Sequence, residues 1–594
     1  MKKQKISPYL SVSDQITPTE ISLLKAEGYK TIINNRPDGE EDGQPTSKDI
    51  QALAAEMGLD YVHLPVIPGK ITSDAIQAFA KAMAEKQGPV LAYCRTGTRA
   101  ITLWALSEAG HLSTEAIIQT ASEANYDLSS LKDKLNSLSM HGQNQQPSQT
   151  QTQALDNDTN VPQLSSAPSH IYDVVIVGGG AGGLAAAASL HKRDKALDIA
   201  VIEPKEEHYY QPGWTLVGGG VFSRNQTKRS MASVMPSYVK WIKSAVAAFA
   251  PSDNKVITEG GEAVAYKALV VAPGLKLNWA AIDGLEETLG KNGVTSNYRF
   301  DLASYTWELV KGLKSGKALF TQPPMPIKCA GAPQKAMYLS CDEWFRKGRL
   351  DQIDVAFHNA GGVLFGVSDY VPALEKYIEK YNIDLHFNEN LIAVDGDKKI
   401  ATFALTDKDG NVTKEDRPFD MLHVCPPQCP LDFMKDSPIT NEAGWVDVNN
   451  ETLQHVKYGN IFGIGDGMSA PNAKTAAAVR KQAPVVAHNV LSLLKGYQSA
   501  AIYEGYGSCP LTVERGKIVL AEFGYGGALQ PTFPPALVDG TKPTKLAWFL
   551  KEKLLPWMYF SLMLKGHEWL AAPQVLSHSP VLHEAQEACD FKDQ

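Results

Sequence analysis

Three cysteines stand in settings where a thiol could do chemistry. Cys329 lies among small residues in Pro326-Ile327-Lys328-Cys329-Ala330-Gly331-Ala332-Pro333-Gln334-Lys335, with two lysines close in sequence and a helical stretch behind it. Neighbouring cations and a helix N-terminus lower a thiol pKa and enrich the thiolate, the form that attacks and exchanges with disulfides. Cys509, in Gly505-Tyr506-Gly507-Ser508-Cys509-Pro510-Leu511, reads as a loop residue. Cys94 opens the run Cys94-Arg95-Thr96-Gly97-Thr98-Arg99. Backbone N–H groups curled around a cysteine, with Arg95 and Arg99 beside them, form a nest that stabilises a thiolate and binds an oxyanion. Cys425 and Cys429 are a nearer pair in sequence and an alternative disulfide. Cys341, in an apparent helix, and Cys589, near the end, read as bystanders, and His208 and His423 as core or loop histidines.

A second group of residues suits a dinucleotide. The apolar run Val174 to Val177 leads into Gly178-Gly179-Gly180-Ala181-Gly182-Gly183, in which Gly178, Gly180 and Gly183 fit the G-x-G-x-x-G spacing. The first glycine permits the turn, the second lets backbone approach a pyrophosphate, and the third packs helix on strand. A second strand, Asp198 to Ile202, ends at Glu203, a carboxylate placed to accept from ribose hydroxyls. Far along the chain, Ile461 to Asp466 ends in Gly465-Asp466 and is followed by a helical run from Lys474. An aspartate at a strand end can bind a ribityl hydroxyl, and a helix N-terminus favours negative charge on a reduced flavin. The strand Ile353 to Phe357, where a second glycine motif would hold a nicotinamide, leads instead into His358-Asn359-Ala360-Gly361-Gly362-Val363-Leu364-Phe365-Gly366. That spacing is wrong and its bulky residues deny backbone approach, so the electron donor is not expected to be NAD(P)H.

These residues need parallel α/β scaffolds to position them. Short β-branched runs ending at Asn34, Val66 and Tyr93 alternate with helical patterns over Ser47 to Met57, Asp74 to Glu85 and Ala100 to Glu108, which predicts a small α/β domain over residues 1–138. Residues 139–170 are rich in Gln, Ser, Thr, Asn and Pro, and read as a flexible linker. Residues 171–540 carry the dinucleotide motifs in a long α/β chain. Residues 541–594 mix Trp, Phe and Leu with Lys545, Lys551, Lys553 and Lys565, which suits an interfacial amphipathic segment whose lysines reach lipid head groups. The competing reading is a core-packing or dimer-interface segment.

Composition narrows the classes. A net charge of −8 over 594 residues offers no basic surface for nucleic acid. Seven scattered cysteines without a Cys-x-x-Cys pair argue against a disulfide scaffold or a structural metal. The charged N-terminus has no apolar run behind it, so a cytoplasmic, reducing location is expected, with reactive rather than structural cysteines.

Several motifs together carry a resemblance. His208-Tyr209-Tyr210-Gln211-Pro212-Gly213-Trp214-Thr215-Leu216, KCAGAPQK, FGIGD with KTAAAV, and SCPL look like a sulfide:quinone oxidoreductase, over roughly residues 171 to 575. Leu269-Val270-Val271-Ala272-Pro273-Gly274 resembles the connecting motif of flavoprotein reductases. The resemblance implies two Rossmann-like FAD/NAD-type domains, non-covalent FAD, and Cys329 with Cys509 as the redox pair. It also implies FAD contacts from Gln211 and the backbone at Val246, with Gly274, Gly465, Asp466 and Lys474 on the cofactor. Sulfide would attack the disulfide, a small thiol or sulfite would remove the sulfane sulfur, and a membrane quinone would take the electrons. This places the protein on the inner face of the cell membrane. A homo-oligomer is left open.

The Cys94 loop is one residue shorter than a tyrosine-phosphatase loop and has Ala100 where that loop has arginine. It looks like the loop of rhodanese sulfurtransferases, in which Cys94 would carry a persulfide. Asn34-Asn35-Arg36-Pro37-Asp38-Gly39 resembles phosphatase-fold domains fused to persulfide-handling hydrolases. Two rivals stand beside the combined reading: an NAD(P)H:quinone reductase with a phosphatase-like domain, and a flavin-bound redox sensor without turnover.

Overall fold

The computed structural model describes residues 3–136 and 170–577, apart from residues 8–9, 42–43, 67–70, 86–88, 110–111, 125, 127, 129–130, 133, 436 and 472. The expected linker lies outside the described residues except for His170. The chain divides into two compact units, Met1–Pro162 and Gln163–Gln594.

In the first unit the alternating pattern closes a five-stranded sheet in the order Lys3–Lys5, Leu10–Ser13, Val90–Tyr93, Thr31–Asn34, Asp60–His63. All neighbours are parallel except the edge strand Lys3–Lys5. The central strand Val90–Tyr93 is buried on both faces: Val90 and Ala92 enter one core with Phe79 and Trp104, while Leu91 and Tyr93 enter the other with Ile32 and Ile50. That two-sided burial explains its unbroken apolar run. Sequence periodicity misses Lys3–Lys5, Leu10–Ser13 and the helix Glu20–Ala26, each too short to show a period.

The second unit holds two parallel sheets. The strands Val239–Ile242, Ile199–Ile202, Ile171–Val177, Ala263–Val271 and Ile461–Gly463 run parallel in that order. The long strand Ala263–Val271 also serves an antiparallel meander with Lys255–Thr258 and Val246–Ala250. A second parallel sheet runs Val294–Thr295, Met421–His423, Gly316–Gln322, Ile353–Asn359, Asp384–Phe387. These are the two Rossmann-like domains.

Residues 541–577 do not stand apart as a tail. Pro543–Thr544 adds a strand to the hairpin Gly507–Glu514/Lys517–Phe523, and Gln574–Leu576 pairs with Ala500–Ile502. Between them run the helix Lys545–Phe549, a π-helical turn Leu550–Leu554 and the helix Leu555–Ser561. Ala547, Lys551, Tyr559 and Leu564 turn inward, while Leu546, Phe549, Trp557, Trp569 and Leu570 face solvent. Glu568 is bound by Arg193 and, at 3.0 Å, by Lys192. Among the described residues no helix is long and apolar enough to cross a membrane.

Candidate active sites

The glycine loop of the second unit has the geometry its spacing demands. Gly178 sits at φ +99°, and a Cβ there would lie 2.3 Å from the Ala272 carbonyl. A Cβ on Gly183 would lie 1.8 Å from the Gly178 carbonyl, so helix and strand touch backbone to backbone. A Cβ on Gly180 would meet nothing within 4 Å, which leaves open space where a pyrophosphate approaches. The helix Ala181–Arg193 starts at Gly180 with no side-chain cap, so the N–H groups of its first turn, from Ala181, Gly182 and Gly183, point into that space. Glu203 follows its strand as expected, its carboxylate accepting from Gly179 N at 2.7 Å and Lys205 N at 2.8 Å.

The second cofactor motif folds against the first. A Cβ on Gly467 would lie 2.8 Å from the Gly274 carbonyl, which joins the connecting segment to Gly465-Asp466. Gln482 accepts from Gly465 N at 3.0 Å, while its own buried Nε2 has no partner, as does the buried Trp214 Nε1. Burial raises the Asp466 carboxyl against the opposing ammonium groups of Lys328 and Lys474. An open phosphate cradle, a ribose acid and unpartnered buried donors fit FAD. Lys474 serves more as a brace: its Nζ donates to the carbonyls of Asp466 at 2.7 Å and Met468 at 3.1 Å, and its pKa is pushed down by burial to about 8. Val246 is buried in the meander and Gln211 is exposed on a short 3₁₀ turn.

The cysteines meet beside this cradle. Cys329 N donates to the Lys474 carbonyl at 3.0 Å, tying the first cysteine to the cofactor loop. Cys509 is not in a loop but inside the strand Gly507–Glu514, paired with Ala521. The glycines and proline around it suggest a turn, yet the hairpin partner holds them extended. A Cβ on Gly331 would lie 2.5 Å from Cys509 Sγ, so only glycine leaves room for the second sulfur. Cys329 itself takes φ +51°, a left-handed conformation that L residues seldom adopt and that accumulates at active sites.

The electrostatics separate the two thiols. The hydrogen bond from Cys509, with the ammonium groups of Lys335 and Lys551, holds Cys329 well below the usual thiol range despite burial. The same hydrogen bond and burial hold Cys509 well above it. The electrostatics therefore favour a thiolate on Cys329 over one on Cys509. Burial alone would lower Lys335, but the two sulfurs raise it, and its Nζ lies 3.2 Å from Cys329 Sγ. Lys551 is 5 % exposed and donates to Pro510 O and Thr512 Oγ1, both at 3.1 Å. Burial, then Lys335, pushes its pKa down to about 7. Read from composition as a head-group lysine, Lys551 instead lies in the redox site, because the π-helical turn rotates it inward.

The remaining residues sort by contact. Cys425 is buried with its pKa pushed up to about 12 by burial, and Cys429 pairs in a strand with Lys276; both are free thiols. Cys341 is a buried core thiol, and Cys589 lies outside the described residues. His423 accepts from Asn297 N at 3.0 Å, and His208 joins Gly179 O to the Tyr559 hydroxyl; burial pushes both pKa values to about 4. Leu364 and Phe365 are buried in the second domain's core. His358, His386 and Glu389 converge there as potential metal ligands, but Arg417 already forks onto Glu389 and compensates its charge.

In the first unit Cys94 follows the central strand at its carboxyl end, the crevice where ligands bind in open α/β sheets. Cys94 is fully buried, and Gly97, at φ +87°, starts the helix Thr98–Ser107. Arg99 is buried beside Cys94, while Arg95 is largely exposed and lies 3.7 Å from Glu41. Burial would lower the Arg99 guanidinium, but Glu40 and Cys94 hold it raised. The sequence did not single out Glu40 or Arg36, whose guanidinium bonds Glu40 at 2.8 Å and Glu41 at 2.9 Å.

Two parallel dinucleotide sheets, a glycine cradle and a cysteine pair beside it define a flavoprotein of the disulfide-reductase class. Residues 172–308 match the family described as pyridine nucleotide-disulphide oxidoreductase, and residues 3–111 match the phosphatase-like domain of the Beta-lactamase hydrolase-like protein. The mitochondrial sulfide:quinone oxidoreductase of Dictyostelium discoideum is 43% identical over 67% of this chain and 87% of its own length. That of Mus musculus is 41% identical over 68% and 88%. The chain belongs to the sulfide:quinone oxidoreductase family. The solved sulfide:quinone oxidoreductase of Aquifex aeolicus shares the fold, with a TM-score of 0.55, 21% identity, and coverage of 65% of this chain and 91% of that one. The front unit is 45% identical to the Beta-lactamase hydrolase-like protein of Agrobacterium fabrum over 18% of this chain, but spans only 25% of that protein.

Proposed function

We propose that the second unit oxidises sulfide to sulfane sulfur and passes the electrons to a membrane quinone, while Cys94 moves that sulfur onward. The observation that carries the first half is the meeting of Cys329 and Cys509 against the cofactor loop, with Cys329 N on the Lys474 carbonyl at 3.0 Å and the buried Lys335 ammonium 3.2 Å from Cys329 Sγ. In the oxidised pair, hydrosulfide attacks Cys509 Sγ, because Cys329 has the lower pKa and is the better leaving thiolate. A sulfur–sulfur bond forms on Cys509 as the Cys329–Cys509 bond breaks, and Lys335 and Lys551 balance the released charge. An acceptor thiolate or sulfite then takes the outer sulfur and leaves both cysteines reduced. Bound FAD would supply the two-electron acceptor that reoxidises the pair, with quinone as the sink. Gly178, Gly180, Ala181, Gly182, Gly183 and Glu203 would hold it, with Gln211, Val246, Gly274, Gly465 and Asp466 along its length and Lys474 bracing the loop.

The exposed face of Leu546, Phe549, Trp557, Trp569 and Leu570 suits peripheral docking on a bilayer, where the quinone resides. In the first unit the nest around Cys94, with Arg95 and Arg99, suits a sulfurtransferase. The test is an anaerobic titration of the holoprotein followed by flavin absorbance. Sulfide is expected to bleach the flavin and a short-chain quinone to restore it, while Cys329→Ser abolishes bleaching. Bleaching by NADH but not by sulfide would overturn the reading.

A further inference from the structure

The Cys94 site carries an occupant of its own. The Glu40 carboxylate meets the Arg99 guanidinium fork to fork, Oε1 to Nη1 at 2.7 Å and Oε2 to Nη2 at 2.8 Å. Arg99 Nη1 also donates to the Val66 carbonyl at 2.7 Å, which fixes the fork's orientation. The same carboxylate receives Arg36 Nε at 2.8 Å, and Arg36 is 2 % exposed. Glu41 faces Arg36 at 2.9 Å and Arg95 at 3.7 Å. Two carboxylates thus engage all three arginines around the loop; Arg36 and Arg99 are both buried, and Arg99, beside Cys94, is the donor that an incoming oxyanion would need. Bidentate arginine–carboxylate pairs are among the stronger hydrogen-bonded contacts in proteins.

We infer that Glu40 is a built-in ligand of the anion seat and sets the substrate class of the Cys94 loop. It turns away free dianions such as phosphate monoesters and thiosulfate, and admits sulfur carried as a persulfide on a thiol. This rests on the sulfurtransferase reading and deepens it. A dianion must displace the carboxylate from Arg99 and then lie beside it, against like-charge repulsion. A thiol persulfide brings no oxyanion bonded to the sulfur that is transferred. The Cys94 thiolate attacks its outer sulfur, a new sulfur–sulfur bond forms on Cys94, and the bond to the carrier breaks. The carrier leaves as a thiolate with the electron pair, and the outer sulfur keeps its proton. Only loop N–H groups need stabilise the passing charge.

The test uses the FAD-loaded full chain as wild type, Glu40→Gln and Glu40→Asp. Calorimetric titration with inorganic phosphate reads the seat without any turnover. Glu40→Gln is expected to bind phosphate roughly 10- to 100-fold more tightly than wild type, the worth of charged hydrogen bonds. Glu40→Asp, which keeps the charge, is expected to stay close to wild type. Adding Arg99→Lys to Glu40→Gln is expected to remove the gain, which assigns it to this seat. In parallel, the ratio of thiosulfate-dependent to glutathione-persulfide-dependent transfer should rise in Glu40→Gln. Equal phosphate affinity in wild type and Glu40→Gln overturns the inference, whatever the activities. Gained phosphate binding with no sulfur transfer in any form, and none lost in Cys94→Ser, leaves the seat assignment intact and overturns the sulfurtransferase reading alone.

Discussion

Replacing Lys551 with methionine should separate the stability of this protein from its redox chemistry. The ammonium pKa is pushed from 10.5 to about 7, a difference of about 3.5 units. At about 1.4 kcal/mol per unit this is an upper bound near 5 kcal/mol for the cost of keeping the charge buried. The sign follows from proton linkage. The unfolded chain binds the proton at higher pH than the folded one, so this group's contribution is present above about 10.5 and is lost as pH falls to about 7. Methionine removes that loss, while leaving Pro510 O and Thr512 Oγ1 short of a donor, at about 1–3 kcal/mol each. The two effects are of similar size, so the clear signature is in the pH trend: the variant's melting temperature should gain on the wild type's as pH falls from about 10.5 to about 7. Its chemistry should suffer instead. A cation within reach of a thiolate depresses its pKa by roughly 1–3 units, and Lys335 remains to supply part of that. Removing Lys551 should raise the Cys329 pKa and slow sulfide-dependent flavin bleaching by roughly a few-fold at neutral pH. The assay is the pH profile of Cys329 alkylation, read by mass spectrometry of its peptide, beside melting curves at several pH values. An unchanged alkylation profile, or a melting difference from wild type that does not move with pH, would refute the reasoning.

Gly183→Ala drives a Cβ against the Gly178 carbonyl, so flavin content should collapse and stability fall toward the upper end of about 1–3 kcal/mol, checked by flavin-to-protein absorbance ratio and melting. Tyr559→Phe leaves the buried His208 Nε2 without its 2.7 Å partner, and should cost about 1–3 kcal/mol in unfolding titrations with sulfide oxidation largely kept. Trp557→Glu should weaken pelleting with lipid vesicles while reduction of a water-soluble quinone continues, since Trp557 is 55 % exposed.

What was legible in the sequence was what lies contiguous in it. The glycine loop, Glu203 and the Gly465-Asp466 turn are local motifs whose spacing is their mechanism, and the structure brings them to one cradle. Leu364 and Phe365 could be read as spoiling a nicotinamide loop, because bulk at a glycine position carries its own steric argument. The partners of the cysteines were hidden by distance: Lys551 reaches Cys329 from 222 positions away, and no local pattern marks which lysine of an amphipathic stretch turns inward. The same gap hid which residues of the amphipathic stretch pack inward: Tyr559, Leu564 and Glu568 are tied into the flavoprotein fold, while Phe549 and Trp557 stay exposed. Glu40 escaped notice because an acidic residue in a turn is ordinary until Arg99 is folded back onto it.

The π-helical turn Leu550–Leu554 has one more consequence. It places Lys551 two residues from the solvent-facing Phe549 and six from Trp557, on one continuous helical segment. Whatever grips those aromatic rings grips a lever whose short arm ends at the sulfur pair. A slip of the segment by a single helical residue would shift the ammonium by about 1.5 Å along the axis and turn it away from the thiolate. Docking of these rings on a bilayer, as proposed above, would then be felt as a change in the charge beside Cys329.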